Sequence, residues 1–379
     1  MSIDPTGYGD LYKNQGYWRV GESVYPTKIQ AILAAQEQDT WPTFHYNDSY
    51  WDEFDWSTEP NETLEELYLQ RAHQLRDRYK TLILRYSGGG DSYNILKTFL
   101  DNGIKLDLVV VNEYYEEENL DRVTEPGSQE KLKVAYPTLE KLKSEGHDFE
   151  WMTVDLSRFY MLPRKSRNWW REINAPRLRG IEIAAPRVVQ HPALEKYDNP
   201  ETAIILGLDK PFVRKTNNIW TVVIGDSLPC QIPSPTMSRI IPEPFYWTAD
   251  LPALPCKQAH VFKQFLKEHG KGDRYDGWNL DAKHNKKIAY ALLYSRSHGM
   301  KLGDEIPYWQ DPVSATFKNN GAYNPNSDAW LLDSKAGKAW VRGVEAADKA
   351  IHSRYKYDQG SMMDQGLVQL YTTPRWIGK

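Results

Sequence analysis

Ser87-Gly88-Gly89-Gly90-Asp91-Ser92 is the stretch whose residue types and spacing carry the clearest chemistry. Consecutive glycines let backbone N–H groups approach an anion closely, because no Cβ stands in the way. A helix starting directly after them adds free N–H groups and a dipole that favour negative charge at the same point. The chemistry this predicts is the cradling of a phosphate. Asp91 adds a second requirement. A carboxylate beside bound phosphates is repulsive unless a cation lies between them, so it points to a divalent metal ion. Its plainer role is that of a helix cap or first-turn carboxylate, worth about 1 kcal/mol.

The flanking residues supply the elements that must hold such a loop. Leu82, Ile83 and Leu84 read as a buried parallel strand. Asp91 to Leu100 reads as a helix with Ile95, Leu96, Phe99 and Leu100 along one face. Two other phosphate loops are excluded. No lysine follows the glycines, as G-x-x-x-x-G-K-[ST] requires, and Ser92-Tyr93 after Asp91 leaves G-x-G-x-x-G without its third glycine.

S-G-G-G-D-S resembles the PP-loop, S-G-G-x-D-S, of the N-type ATP pyrophosphatase superfamily, and matches it at every fixed position. The resemblance covers residues 80–225, a little under half the chain. It implies an open, mostly parallel, doubly wound α/β sheet of the HUP type, with ATP and Mg²⁺ as cofactors. Ser87, Gly88, Gly89, Gly90 and Ser92 would hold the pyrophosphate, and Asp91 would bind or orient Mg²⁺. Adenine and ribose would lie against the ends of the first two strands, at Arg85, Tyr86, Val111 and Asn112. From Gly207-Leu208-Asp209-Lys210, the resemblance implies Asp209 as a second Mg²⁺ ligand and Lys210 as a catalytic contact to the leaving pyrophosphate. The plain alternative for that segment is a strand-ending turn.

The implied reaction cleaves ATP to AMP and pyrophosphate. A carboxylate or carbonyl oxygen would be adenylated and then attacked by ammonia or an amine. The partner is a small-molecule or nucleobase substrate. Ser2, where a glutaminase-bearing relative would carry cysteine, implies no glutaminase domain in this chain. A softer resemblance links it to tailed-phage PP-loop proteins of sulfonucleotide-reductase-like description. A reductase is disfavoured by the cysteines, since only Cys230 and Cys256 are present. A non-catalytic nucleotide-binding assembly or regulatory protein is the rival from another class.

The remaining elements alternate. Thr63–Lys80 reads as a helix with Thr63 and Glu66 in a capping box. Strands are expected at Asp107–Asn112, Phe149–Val154, Ala203–Leu208 and Trp220–Ile224, and helices at Pro26–Gln36 and Gln129–Glu145. Further helices are expected near Lys257–His269, Ala282–Ser297 and Ser334–Arg354. This divides the chain into an irregular arm (1–60), a nucleotide-binding domain (61–225) and a Pro-rich, helical region (226–379).

Composition bounds the function. A net charge of -4 argues against a general polyanion binder. No apolar run nears the roughly 18 residues of a membrane span, so no membrane partner is expected. Two cysteines exclude a disulfide framework, and a reducing cytoplasm, a host's if the chain is phage-encoded, is the simplest home. The stretch Arg164, Lys165, Arg167, Arg171, Arg177 and Arg179, with Trp169 and Trp170 interleaved, is a candidate for an anionic substrate or a nucleic acid. A solvated basic face facing the acidic loop near Glu116–Glu118 is the alternative. Fourteen Trp and 24 Tyr suit either rigid core filling or a stacking surface.

Overall fold

The computed structural model describes residues 11–113, 131–156, 159, 168–175, 178, 180–208, 210–227, 229–234, 236–268, 289–295, 335–356 and 366–378. The segment read as an irregular arm carries a small antiparallel sheet. Its strands are β1 (Tyr17–Val20), β2 (Ser23–Tyr25) and β3 (Thr43–His45), in the order β2-β1-β3. Helix α1 (Lys28–Glu37) lies between β2 and β3 in sequence, capped by Thr27, whose side chain accepts from the Gln30 N–H. These strands are three or four residues long, too short for period-two alternation to stand out in the sequence.

Helix α2 (Leu64–Arg78) begins at the capping box expected for it: the Thr63 hydroxyl accepts from the Glu66 N–H and the Glu66 carboxylate accepts from the Thr63 N–H. It leads into β4 (Thr81–Arg85), and the glycine turn then gives α3 (Gly90–Asp101). Ile95, Leu96 and Phe99 are buried on α3, each worth about 1.5–3 kcal/mol in apolar area removed from water. Next comes β5 (Leu108–Glu113). A single π-turn, Lys131–Ala135, runs into α4 (Tyr136–Ser144), and β6 (Trp151–Asp155) follows.

β7 (Thr202–Leu206) returns to the other side of β4. A hairpin of β8 (Phe212–Thr216) and β9 (Ile219–Val223) leaves the main sheet and pairs with a late strand in the order β11-β9-β8, where β11 is Arg375–Trp376. The expected strand at Trp220–Ile224 therefore exists, but in a separate antiparallel sheet. β10 (Ile241–Pro244) completes the main sheet as its edge strand. That segment reads as Pro-rich and irregular in sequence. Pro242 and Pro244 lack N–H groups, yet they are accommodated because β10 pairs with β7 alone. The main sheet thus extends beyond residue 225.

The central sheet is five-stranded and wholly parallel, in the order β10-β7-β4-β5-β6. With its helical crossovers, this is an α/β doubly wound fold. Numbering the five strands by sequence gives the order 3-2-1-4-5 read from β6. The strand order reverses between β4 and β7, and ligands of open α/β sheets bind outside the carboxyl ends at that point.

Helices α5 (Ala253–Glu268) and α6 (Lys335–Ala350) close the structure. One hydrophobic cluster runs through it, joining Trp18 and Trp51 of the N-terminal segment to Ile83 and Val110 of the sheet and Trp340 and Ile377 beyond. The described tryptophans serve mainly as core: Trp18, Trp51, Trp170, Trp247 and Trp340 are enclosed, while Trp41 and Trp376 remain about half exposed at 48% and 51%. Among the described residues, no helix is long and apolar enough to cross a membrane.

Candidate functional site

The carboxyl ends of β4 and β7 bring together the glycine turn and Lys210. Gly88 sits at φ +85°, a conformation that suits glycine. A Cβ there would also stand 3.2 Å from the Cβ of Ala135, the last residue of the π-turn before α4. Gly89 is the N-cap of α3, with no side-chain hydrogen bond to the cap. A Cβ on Gly89 would meet only the Ser87 hydroxyl oxygen, at 3.3 Å. Gly90 packs under the ring of Tyr290, where a Cβ would come within 2.6 Å of the ring. The three glycines therefore do different work. Gly88 and Gly90 admit neighbouring protein groups, and Gly89 is the one whose Cβ position is open.

The two serines brace the turn. Ser92 Oγ donates to the Gly89 carbonyl at 3.1 Å and accepts from the Ser87 N–H at 3.2 Å, with Ser87 Oγ a further 3.3 Å away. Ser92 is buried. Its hydroxyl fixes the loop's shape from within.

Asp91 is the junction of the site. It lies in the first turn of α3 and does not cap it. Lys210 Nζ lies 2.7 Å from its Oδ1 and 2.9 Å from its Oδ2. The Tyr294 hydroxyl donates to Oδ1 at 2.6 Å, and the Tyr246 hydroxyl donates to the Asp91 carbonyl at 2.8 Å. Tyr246 in turn accepts from Asn94 Nδ2 at 3.1 Å. Burial, followed by the nearby Asp91 charge, pushes the Tyr294 phenol well above its ordinary pKa, so it stays a donor. Lys210 reaches Asp91 because Gly207 allows β7 to approach the first turn of α3. A Cβ on Gly207 would lie 3.2 Å from the Ser92 N and 3.0 Å from the Ile95 side chain.

Three contributors to this junction, Tyr246, Tyr290 and Tyr294, were not singled out from sequence. Their signal is weak: tyrosines in an irregular segment just after β10 and in the stretch 289–295, with nothing to tie either to Asp91. Gly207 is expected only as part of the strand Ala203–Leu208 and the turn that ends it.

The other expected positions divide. Tyr86 is buried and extends the pairing of β4, its N–H donating to the Val110 carbonyl at 2.8 Å. Arg85 ends β4, and its guanidinium reaches the Gln231 carbonyl at 3.5 Å. Asn112 is buried near the end of β5. All three stand at the carboxyl ends of adjacent strands. Asp209 lies outside the described residues, as do Arg164, Lys165, Arg167, Arg177 and Arg179. Of the basic stretch, Arg171 is described: exposed, with its guanidinium 5.1 Å from the Trp170 ring centre. Trp169 and Trp170 are both buried, Trp169 against Trp340 with ring centres 5.1 Å apart, so these two rings are core and not a stacking platform.

Glu113, the last residue of β5, was not singled out either. It is 5% exposed. Its Oε1 accepts from the Tyr136 hydroxyl. Its Oε2 has no hydrogen-bond partner and faces Lys131 Nζ at 3.8 Å.

Among the described residues, no group of three or more His, Cys, Asp or Glu could enclose a metal ion. Magnesium shared with phosphates asks less, commonly one or two carboxylates, and Asp91 beside the glycine turn meets that minimum. Both thiols are buried; burial pushes Cys256 up to about 12 and Cys230 well above its ordinary value. Burial and the upward shift both disfavour the thiolate that a nucleophile needs.

No family model matches the chain, and no curated protein is similar enough to it to count as a relative.

Proposed function

We propose that this protein is a PP-loop, HUP-type enzyme that binds Mg-ATP and transfers its adenylyl group, releasing pyrophosphate. The observation that carries the reading is the meeting of Lys210 with Asp91 beside the glycine turn, at the point where the strand order reverses. In this reading the turn and the first N–H groups of α3 bind the β- and γ-phosphates. Magnesium, when bound, neutralises phosphate charge. Lys210 moves from Asp91 to the departing pyrophosphate and stabilises the charge that develops there. Tyr294 keeps Asp91 oriented through that exchange. The acceptor is a carboxylate or carbonyl oxygen of a small molecule or nucleobase, later displaced by ammonia or an amine. Most of the rate would come from positioning and fixed charge.

A second reading has one specific observation in its favour. Lys210 and Tyr294 already satisfy the Asp91 carboxylate, as a nucleotide-binding assembly or regulatory protein without turnover would keep it. The reductase reading loses support from the two buried thiols.

Product analysis separates these readings. Incubation with Mg-ATP and panels of acids and amines is expected to give AMP and pyrophosphate by ion-exchange chromatography. ADP and phosphate would refute attack at the α-phosphorus. Tight ATP binding with neither product would favour the non-catalytic reading.

A further inference from the structure

The buried carboxylate of Glu113 is left half-satisfied at the edge where a bound nucleotide's sugar would lie. Parallel pairing sets Arg85 opposite Val110, and the Tyr86 N–H continues that ladder to the Val110 carbonyl. Carried forward, the register puts Glu113 level with Gly88, on the strand next to the glycine turn. A second link joins the same two places. Gly88 packs against Ala135, and the next residue, Tyr136, donates its hydroxyl to Glu113 Oε1. The backbone between Lys131 and Ala135 is a π-turn, a distortion found frequently at functional sites.

Tyr136 fixes one carboxylate oxygen, and the other meets Lys131 Nζ only as an ion pair at 3.8 Å, with no hydrogen bond. Lys131 offsets its charge but leaves the acceptor open, and a ligand hydroxyl would supply the missing hydrogen bond. In dinucleotide-binding sheets, which share this strand order though not this glycine turn, an acidic residue about 20 positions beyond the phosphate-binding turn hydrogen-bonds the ribose 2′-hydroxyl. Glu113 ends the second strand of the sheet and occupies the corresponding place.

We infer that Glu113 is a specificity-determining residue that accepts a hydrogen bond from the 2′-hydroxyl of a ribonucleotide, selecting ribose over deoxyribose. The inference rests on the reading of the glycine turn as an ATP site. It also carries a negative consequence. A phosphate on that edge of the sugar would face the carboxylate, so a phosphorylated ribose should be rejected.

The test is calorimetric titration of the full chain, with Mg²⁺ present, using ATP, 2′-deoxy-ATP and 2′-fluoro-2′-deoxy-ATP. The last keeps the size and polarity of the 2′ substituent but cannot donate. Wild type is expected to bind ATP on the order of tenfold more tightly than either analogue. Glu113→Leu, which removes the acceptor, is expected to bring all three within about threefold by weakening ATP alone, with the analogues unchanged. Equal wild-type binding of ATP and both analogues would overturn the role of Glu113 and leave the nucleotide site standing. So would a folded Glu113→Leu that kept the wild-type ratio. Failure of all three to bind would overturn the nucleotide reading and this inference with it. Should Glu113→Leu not fold, Tyr136→Phe, which frees the carboxylate from its anchor, is expected to narrow the ratio; an unchanged ratio there would overturn the assignment.

Discussion

Of the lysine–aspartate pairs among the described residues, one lies in the structural core and another at the candidate site. Lys28 and Asp226 are wholly buried, 2.8 Å apart. Every direction around them is closed. Asp226 also accepts from Trp18 Nε1 at 3.1 Å and from the Leu370 N–H at 3.1 Å, and Lys28 also donates to the Val368 carbonyl at 2.5 Å. Lys210 and Asp91 are as close, but the Asp91 side chain keeps 22% of its surface exposed. It sits at a helix start beside a glycine turn. The first pair is a clamp among three distant segments. The second has an open side, and that asymmetry is what a site needs if one partner is to be exchanged for a ligand.

The largest expected effect comes from breaking the clamp. Asp226→Ala leaves an uncompensated ammonium in the core and should cost about 3–5 kcal/mol in urea unfolding. Asp91→Asn should cost less, about 1–3 kcal/mol, because water can reach the open side of that pair. It should nonetheless lower AMP formation about 10²-fold or more, an effect the clamp cannot mimic in protein that remains folded. Equal stability losses for the two variants would erase the distinction between the pairs.

The smallest effect uses a third arrangement, in which the basic partners are the exposed groups. Asp250 is held by Lys13 at 2.6 Å and Arg78 at 2.7 Å. Burial pushes its carboxyl up, but the hydrogen bonds and charges of Arg78 and Lys13 outweigh this and bring it to about 2. A pKa lowered by folding gives stability that is present above the unfolded value and lost as pH falls through the folded one. The gap in unfolding free energy between wild type and Asp250→Asn should be about 1–2 kcal/mol at pH 5. It should close as the pH approaches 2. A gap that persists there would mean that packing, and not charge, holds Asp250.

The sequence made the local parts of the site readable and left the assembled junction obscure. The glycine turn, the strand before it and the helix after it follow from contiguous residues, and so does the Thr63–Glu66 capping box. Lys210 follows an apolar strand, and the PP-loop resemblance implies a lysine or carboxylate at that edge. Tyr246 and Tyr294 escaped notice because their bonds to Asp91 span more than a hundred residues and no spacing rule links them. Glu113 was passed over for its neighbour Asn112, since the last residue of a strand is the hardest boundary to place. β10 was hidden by its two prolines, which normally argue against a strand and are permitted here only by its edge position.

The order of the central sheet also sets the timing of its assembly. β4 finds β5 close by in sequence, with Ile83 opposite Leu108, but it finds β7 only after a long excursion, with the same Ile83 opposite Ile204. Closing that larger loop carries the greater entropic cost, and non-local parallel pairing is intrinsically slow. Lys210 arrives with β7, so the pair at Asp91 forms only when this late step is complete. A chain stalled before it would have the glycine turn without its lysine, and recovery of ligand binding during refolding would lag behind recovery of helical signal.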